Sequence, residues 1–230
     1  MHEIWPLVDF SVSGGHISFR ATGSISYRNI NRIVNNFRHS ITKQLTMAIN
    51  LKKGQRANIE AQKFNVGLGW DVSRGAAASA DLDVVAFMID EEEKLISDDF
   101  MIFYNQLKSP DGAVTHSGDN LTGDGDGDDE TIMIDLGNID SRVQQIIFTV
   151  TIHEGEEKNQ NFGQVRNSYI RIVDSSSKEE MMIYELDEDY SVETSIEFGR
   201  LYKRSGQWKF EAMGTGYMKD LQHFVDRYQR

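Results

Sequence analysis

Residues Ser117 to Asp135 read SGDNLTGDGDGDDETIMID, with carboxylates at Asp119, Asp124, Asp126, Asp128, Asp129, Glu130 and Asp135 and no Lys or Arg among them. So many carboxylates without counter-charge repel one another at neutral pH, and a divalent cation removes that repulsion. An all-oxygen donor set suits Ca²⁺ or Mg²⁺ rather than zinc or copper. Gly123, Gly125 and Gly127 alternate with Asp124, Asp126 and Asp128. Glycine lets such a loop wrap closely and turn its carbonyls toward an ion, and Ca²⁺ tolerates an irregular oxygen set better than Mg²⁺ does. The segment is not an EF-hand. Asp124, Asp126 and Asp128 match its first three ligand positions, but Asp129 stands where glycine is required and Asp135 where glutamate is required. The flanks also read as strands. Without an ion, the same segment is a solvated acidic loop.

Two other carboxylate groups are candidates to join it. Asp71 ends a strand pattern, and Asp81 and Asp83 flank Leu82, so in a strand both point to one side. Asp98 and Asp99 precede FMIFY and Asn105 follows it, while the acidic run from Glu185 to Asp189, with Glu193, has only its charge to recommend it. Catalytic signatures are weak. No Walker-type GxxxxGK, no GxSxG and no strand-borne GxGxxG occurs. HEGEE, beginning at His153, is not a zinc HExxH. His16, His39, His116 and His153 share no ligand spacing, and each reads as a lone surface histidine. Arg166 and Asn167 read as a hydrogen-bonded turn leading into a strand. With no cysteine, the chain has no disulfide, thiolate metal site, Fe–S cluster or cysteine nucleophile, which fits a reducing compartment.

The elements that must position these groups are short β-like runs separated by turn signals. In KFNVGLGWD, Phe64, Val66, Leu68 and Trp70 alternate. LDVVAFMI from Leu82, FMIFY from Phe100, TIMI from Thr131 and QIIFTVTI from Gln145 follow. After them come YIRIV from Tyr169, MMIYEL from Met181, SIEFGRLY from Ser195 and QWKFEAM from Gln207. This spacing predicts an all-β fold, a two-sheet antiparallel β-sandwich. Trp70 and Trp208 fall in strand patterns and are expected in the core. Met218, Leu221, Phe224, Val225 and Tyr228 share one helical face, which predicts a C-terminal helix capping the sandwich. Ahead of the strands, Ile30, Ile33, Val34, Phe37, Ile41 and Leu45 recur at helical spacing with Arg28, Arg32, Arg38 and Lys43 between them. That pattern predicts an N-terminal amphipathic helical extension over 27–45, a basic face that offers itself to a membrane surface or a partner. The chain divides at Met47 into an extension, 1–46, and a β-sandwich domain, 47–230. The extension also reads as a leader added by an upstream start codon.

The chain has 230 residues, with 39% hydrophobic and 26% charged, the composition of a folded protein. No apolar run is long enough to span a membrane, and Met1 to Phe10 lacks the basic start of a signal peptide. The net charge of −12 repels nucleic-acid phosphates and attracts cations. That charge lies in the body, because the first 46 residues set Arg20, Arg28, Arg32, Arg38 and Lys43 against Glu3 and Asp9.

Six blocks in order carry a family resemblance: VGLGWD (66–71), DLDVVAF (81–87), FYNQLKSPDGAVTHSGDNLTGDGDGDDE (103–130), FTVTIHE (148–154), QNFGQVRNSYIR (160–171) and GQWKFEAMGTGY (206–217). They closely resemble the TerD family of tellurite-resistance and stress proteins, and MAINLKKGQRANIE from Met47 looks like that family's own start. The resemblance implies a bacterial, cytoplasmic, calcium-binding β-sandwich with a role in resistance to tellurite and related stresses. Carried over by block, it implies metal ligands among Asp71, Asp81, Asp83, Asp119, Asn120, Asp124, Asp126, Asp128, Asp129 and Glu130.

The expectation is therefore a non-enzymatic Ca²⁺-binding module. The ion would order the acidic loops for assembly with other stress and tellurite-resistance proteins, with no nucleic-acid partner and with membrane association through partners. A metal-dependent phosphohydrolase, using clustered aspartates to hold two ions, and a membrane-recruited adaptor, using the basic helix, are the alternatives. A tellurite reductase lacks evident means here, with neither a cysteine nor a flavin fingerprint.

Overall fold

The computed structural model describes residues 8–13, 16–21, 48–72, 80–118, 127–186 and 190–230. Backbone contacts divide the chain into two units, Met1–Met47 and Ala48–Arg230. In the first unit, β1 (Val8–Ser13) and β2 (His16–Ala21) form an antiparallel hairpin with Phe10 opposite Phe19 and Val12 opposite Ile17. The helical spacing over 27–45 gave no notice of this hairpin. Its own signal is the Gly14-Gly15 pair between two alternating runs. The helix expected over 27–45 lies outside the described residues.

The second unit holds two six-stranded sheets. Its strands are β3 (Ile49–Leu51), β4 (Arg56–Asn58), β5 (Lys63–Val72), β6 (Leu82–Ile89), β7 (Met101–Ile102), β8 (Val114–His116) and β9 (Glu130–Asp135). They continue with β10 (Gln145–Ile152), β11 (Val165–Asp174), β12 (Glu180–Glu185), β13 (Ser195–Arg204) and β14 (Gln207–Tyr217). One sheet runs β3-β12-β11-β5-β9-β8 and the other β4-β14-β13-β10-β6-β7. All pairs in the two sheets are antiparallel except β12 with β3, which is parallel. Every strand run expected from the sequence is present. FMIFY shrinks to two strand residues because Asp98–Phe100 forms a 3₁₀ turn ahead of it. The strands β3, β4 and β8 escaped the alternation argument, since three residues are too few to show a period.

The core follows the alternation. Phe64, Val66, Leu68 and Trp70 of β5 are buried, and Trp208 is buried as well. Strand β6 is buried along its whole length, which a one-sided strand would not be. Its second face is covered by the C-terminal helix α1 (Leu221–Tyr228): Phe87 packs against Phe224 and Tyr228 with ring centroids 6.4 and 5.0 Å apart. Asp220 caps α1 by accepting from the His223 amide. No helix among the described residues is long and apolar enough to cross a membrane.

A buried carboxylate fastens α1 to the sheet. Glu197 of β13 accepts from Tyr217 Oη at 2.8 Å, Tyr228 Oη at 2.6 Å and Arg227 at 3.1 Å. Its side chain is 2% exposed, so all its solvation comes from these donors. Burial, and then the Glu197 charge, push the Tyr228 phenol well above its ordinary range, so it remains a donor. Tyr228→Phe keeps the ring packing and removes one donor from a buried charge. The expected loss is about 1–3 kcal/mol, read from urea unfolding midpoints. An unchanged midpoint would show that Tyr217 and Arg227 suffice.

Candidate functional site

The candidate carboxylates gather where strands of both sheets end. Asp71 lies near the end of β5, Asp81 and Asp83 lie at the start of β6, and Asp128, Asp129 and Glu130 lie at the start of β9. Three hydrogen bonds hold β9 in this position. The Asp129 amide donates to the Leu68 carbonyl at 2.8 Å. Asp129 Oδ2 accepts from the Trp70 amide at 2.8 Å. Glu130 Oε2 accepts from the Val84 amide at 3.1 Å. This last bond crosses from one sheet to the other. It exists because β7 pairs only with Ala86 and Phe87 and stops short of Val84. The Val84 N–H would otherwise face the interior unsatisfied.

Glu130 is 1% exposed and shares the interior with His116. The two side chains face each other across 3.3 Å, from His116 Nε2 to Glu130 Oε2. His116 Nδ1 accepts from the Gly118 amide. The reading of His116 as a surface histidine is thereby corrected. It lies on β8, against β9, and the end of the sandwich closes over it.

Asp128 lies flat across β5. A Cβ built on Gly67 would fall on the Asp128 carboxylate, and one built on Gly69 would fall on the Tyr169 phenol. The two glycines of VGLGWD are therefore a cradle. On one face of β5, Val66, Leu68 and Trp70 fill the core. On the other, the missing side chains make room for Asp128 and Tyr169. Tyr169 Oη lies 3.0 Å from Asp128 Oδ1, and Arg171 Nε donates to that same oxygen at 2.7 Å. Burial, with the Asp128 charge behind it, pushes the Tyr169 phenol up to about 12, so it stays protonated and donates. Burial works against the Arg171 charge, but the Asp128 hydrogen bond and charge outweigh it and its pKa rises.

Asp71 is exposed, and its Oδ2 accepts from Asn167 Nδ2 at 2.6 Å. Asn167 adopts φ 52° within a bulge of β11 opposite Asp71, so the turn read at Arg166 and Asn167 is a strand irregularity aimed at a candidate ligand. Asp81 Oδ1 is buried, and the Asp81 carbonyl accepts from the His153 amide. Asp83, 7% exposed, has Oδ2 3.6 Å from His153 Nδ1. Asp119, Asn120, Asp124 and Asp126 lie outside the described residues. Among the described residues, no three carboxylate or imidazole side chains converge closely enough to hold an ion.

The donor chemistry nonetheless fits a hard cation. The donors are carboxylate oxygens, and the cradled carboxylate of Asp128 is already paired with one cation, the Arg171 guanidinium. Sequence patterning missed Arg171, Tyr169, His116 and the glycine cradle. The available signal was the pair of glycines inside a strand, which marks a close approach by another group.

The TerD domain matches residues 47–228. The chain belongs to the TerD family. It is 43% identical to tellurium resistance protein TerD of Serratia marcescens over 187 residues, covering 79% of this chain and 97% of that one. It is equally identical, at 43% over 188 residues, to general stress protein 16U of Bacillus subtilis, with coverage of 79% and 97%. Among solved structures, a TerD homologue from Streptomyces coelicolor A3(2) superposes with a TM-score of 0.59 at 20% identity, covering 72% of this chain and 95% of that one. That likeness is one of fold.

The cradle is testable as a geometric pair. Gly67→Ala should displace Asp128 and cost about 1–3 kcal/mol in chelator-treated protein. In an Asp128→Ala background the same change should cost nothing or stabilise, because the clash is gone and alanine reduces unfolded-state freedom. Equal costs in both backgrounds, measured by denaturant unfolding, would refute the cradle.

Proposed function

We propose that this TerD-family chain is a calcium-binding, non-enzymatic protein of a bacterial tellurite-resistance and stress-response system, working in the cytoplasm. The names of its relatives, tellurium resistance protein and general stress protein, support the system. The observation that carries the calcium reading is the position of Asp128 and Asp129. They end the Gly-Asp segment immediately before β9 and share one end of the sandwich with Asp71, Asp81 and Asp83.

Bound Ca²⁺ supplies charge neutralisation at that end. The protein's part is to hold donors on rigid strands. Trp70 and Leu68 orient Asp129 through their backbone, and the Gly67 cradle orients Asp128. Asp119, Asn120, Asp124 and Asp126 supply further oxygens by sequence. Neutralising these carboxylates draws the acidic loops together into a surface for other proteins of the same system.

Calorimetric titration of Ca²⁺ into chelator-stripped protein, with Mg²⁺ as control, tests the reading. Saturable Ca²⁺ binding with little heat from Mg²⁺ is expected. Thermal unfolding should shift upward by the equivalent of about 2.7 kcal/mol at a hundredfold excess over Kd. No binding heat together with an unchanged Tm would overturn it.

A further inference from the structure

Asp128 holds one of the protein's own cations. Arg171 Nε donates to Asp128 Oδ1 at 2.7 Å, while its NH1 reaches Glu180 Oε2 at 3.2 Å in the opposite direction. The guanidinium thus stands between two carboxylates. One belongs to the acidic strand end, and the other opens β12. It supplies from β11 a positive charge that the segment 117–135 lacks. Asp128 Oδ1 also lies against Tyr169 Oη, and its Oδ2 rests over the bare Gly67 backbone.

We propose that Arg171 is a built-in counter-cation that competes with Ca²⁺ for Asp128. When the ion enters the acidic end, Asp128 exchanges the guanidinium for it and Arg171 is left to Glu180. This deepens the calcium reading and rests on it. A guanidinium does not leave by losing a proton, because it stays charged at any physiological pH. It leaves only by displacement. A divalent ion and a guanidinium on one carboxylate repel each other, so occupancy by one weakens the other. The side chains of Arg171 and Glu180 are 29% and 30% exposed, against 15% for Asp128. The arginine therefore has open space toward its second partner and a closed wall at its first. The exchange is an affinity control, since Ca²⁺ must pay for displacing an internal cation. It also reports ion occupancy to β12, two strands away from β5 across β11.

The test is calorimetric titration of Ca²⁺ into the chelator-stripped full chain, comparing wild type with Arg171→Gln, Arg171→Lys and Glu180→Gln, beside thermal unfolding in chelator. Arg171→Gln should bind Ca²⁺ roughly tenfold more tightly than wild type, while melting lower in chelator. Arg171→Lys keeps the charge and should stay within about threefold of wild type. Glu180→Gln removes the resting place and should weaken Ca²⁺ binding severalfold. It carries the test if Arg171→Gln does not fold. Ca²⁺ binding by wild type with equal or weaker affinity in Arg171→Gln, or unchanged affinity in Glu180→Gln, would overturn the competition and leave the calcium reading standing. No Ca²⁺ binding by wild type or variants would overturn both.

Discussion

The two faces of β5 impose the constraint on which the acidic end depends. One face must be apolar to close the sandwich, and Phe64, Val66, Leu68 and Trp70 fill it. The other must be nearly bare, because Asp128 and Tyr169 occupy the space that side chains at Gly67 and Gly69 would take. A strand with two interior glycines packs poorly by itself. It is stabilised by neighbours on both edges, β11 and β9, and those neighbours deliver the two groups that lie on the glycines. The weakness of the strand and the placement of the carboxylate are one feature.

Charge is distributed unequally over the domain. Away from the acidic end, carboxylates meet basic partners at short range: Glu211 with Arg56 and Arg200, Asp135 with Lys63, Asp140 with Arg142. Arg56, Lys63 and Arg142 are more than half exposed, and their pairs contribute little each to stability. One open cleft, of about 670 Å³, is lined by Asp90, Glu91, Glu92, Arg142 and Arg230 among others, and there Arg230 pairs with Asp90. At the acidic end Asp128 has Arg171 and Asp129 has a backbone amide. The carboxylates of 119–126 follow each other without a basic residue in sequence. The chain as a whole carries a net charge of −12.

Two buried carboxylates do structural work of a different kind. Glu130 joins the sheets through the Val84 amide, and Glu197 joins α1 to its sheet through Tyr217, Tyr228 and Arg227. Each is almost completely removed from water, and burying such a polar group costs free energy unless donors reach it. An acidic residue in this sequence is thus a surface charge or an internal fastener according to its place in the strands.

The sequence alone determined the class of fold and its family. Alternation in β5, the short apolar runs of β6, β10, β13 and β14, and the helical face ending at Tyr228 are local patterns that burial must respect, so they were readable without coordinates. Tertiary structure decided which groups meet. Asp128 and Arg171 are 43 residues apart, and Glu130 and Val84 are 46 apart. Their contacts arise from the order β11-β5-β9 and from the early end of β7, neither of which any local period encodes. His116 reads as one polar residue among others until β8 packs beside β9 and buries it against Glu130. Pairing across strands depends on register and topology, which are set by the whole domain closing at once.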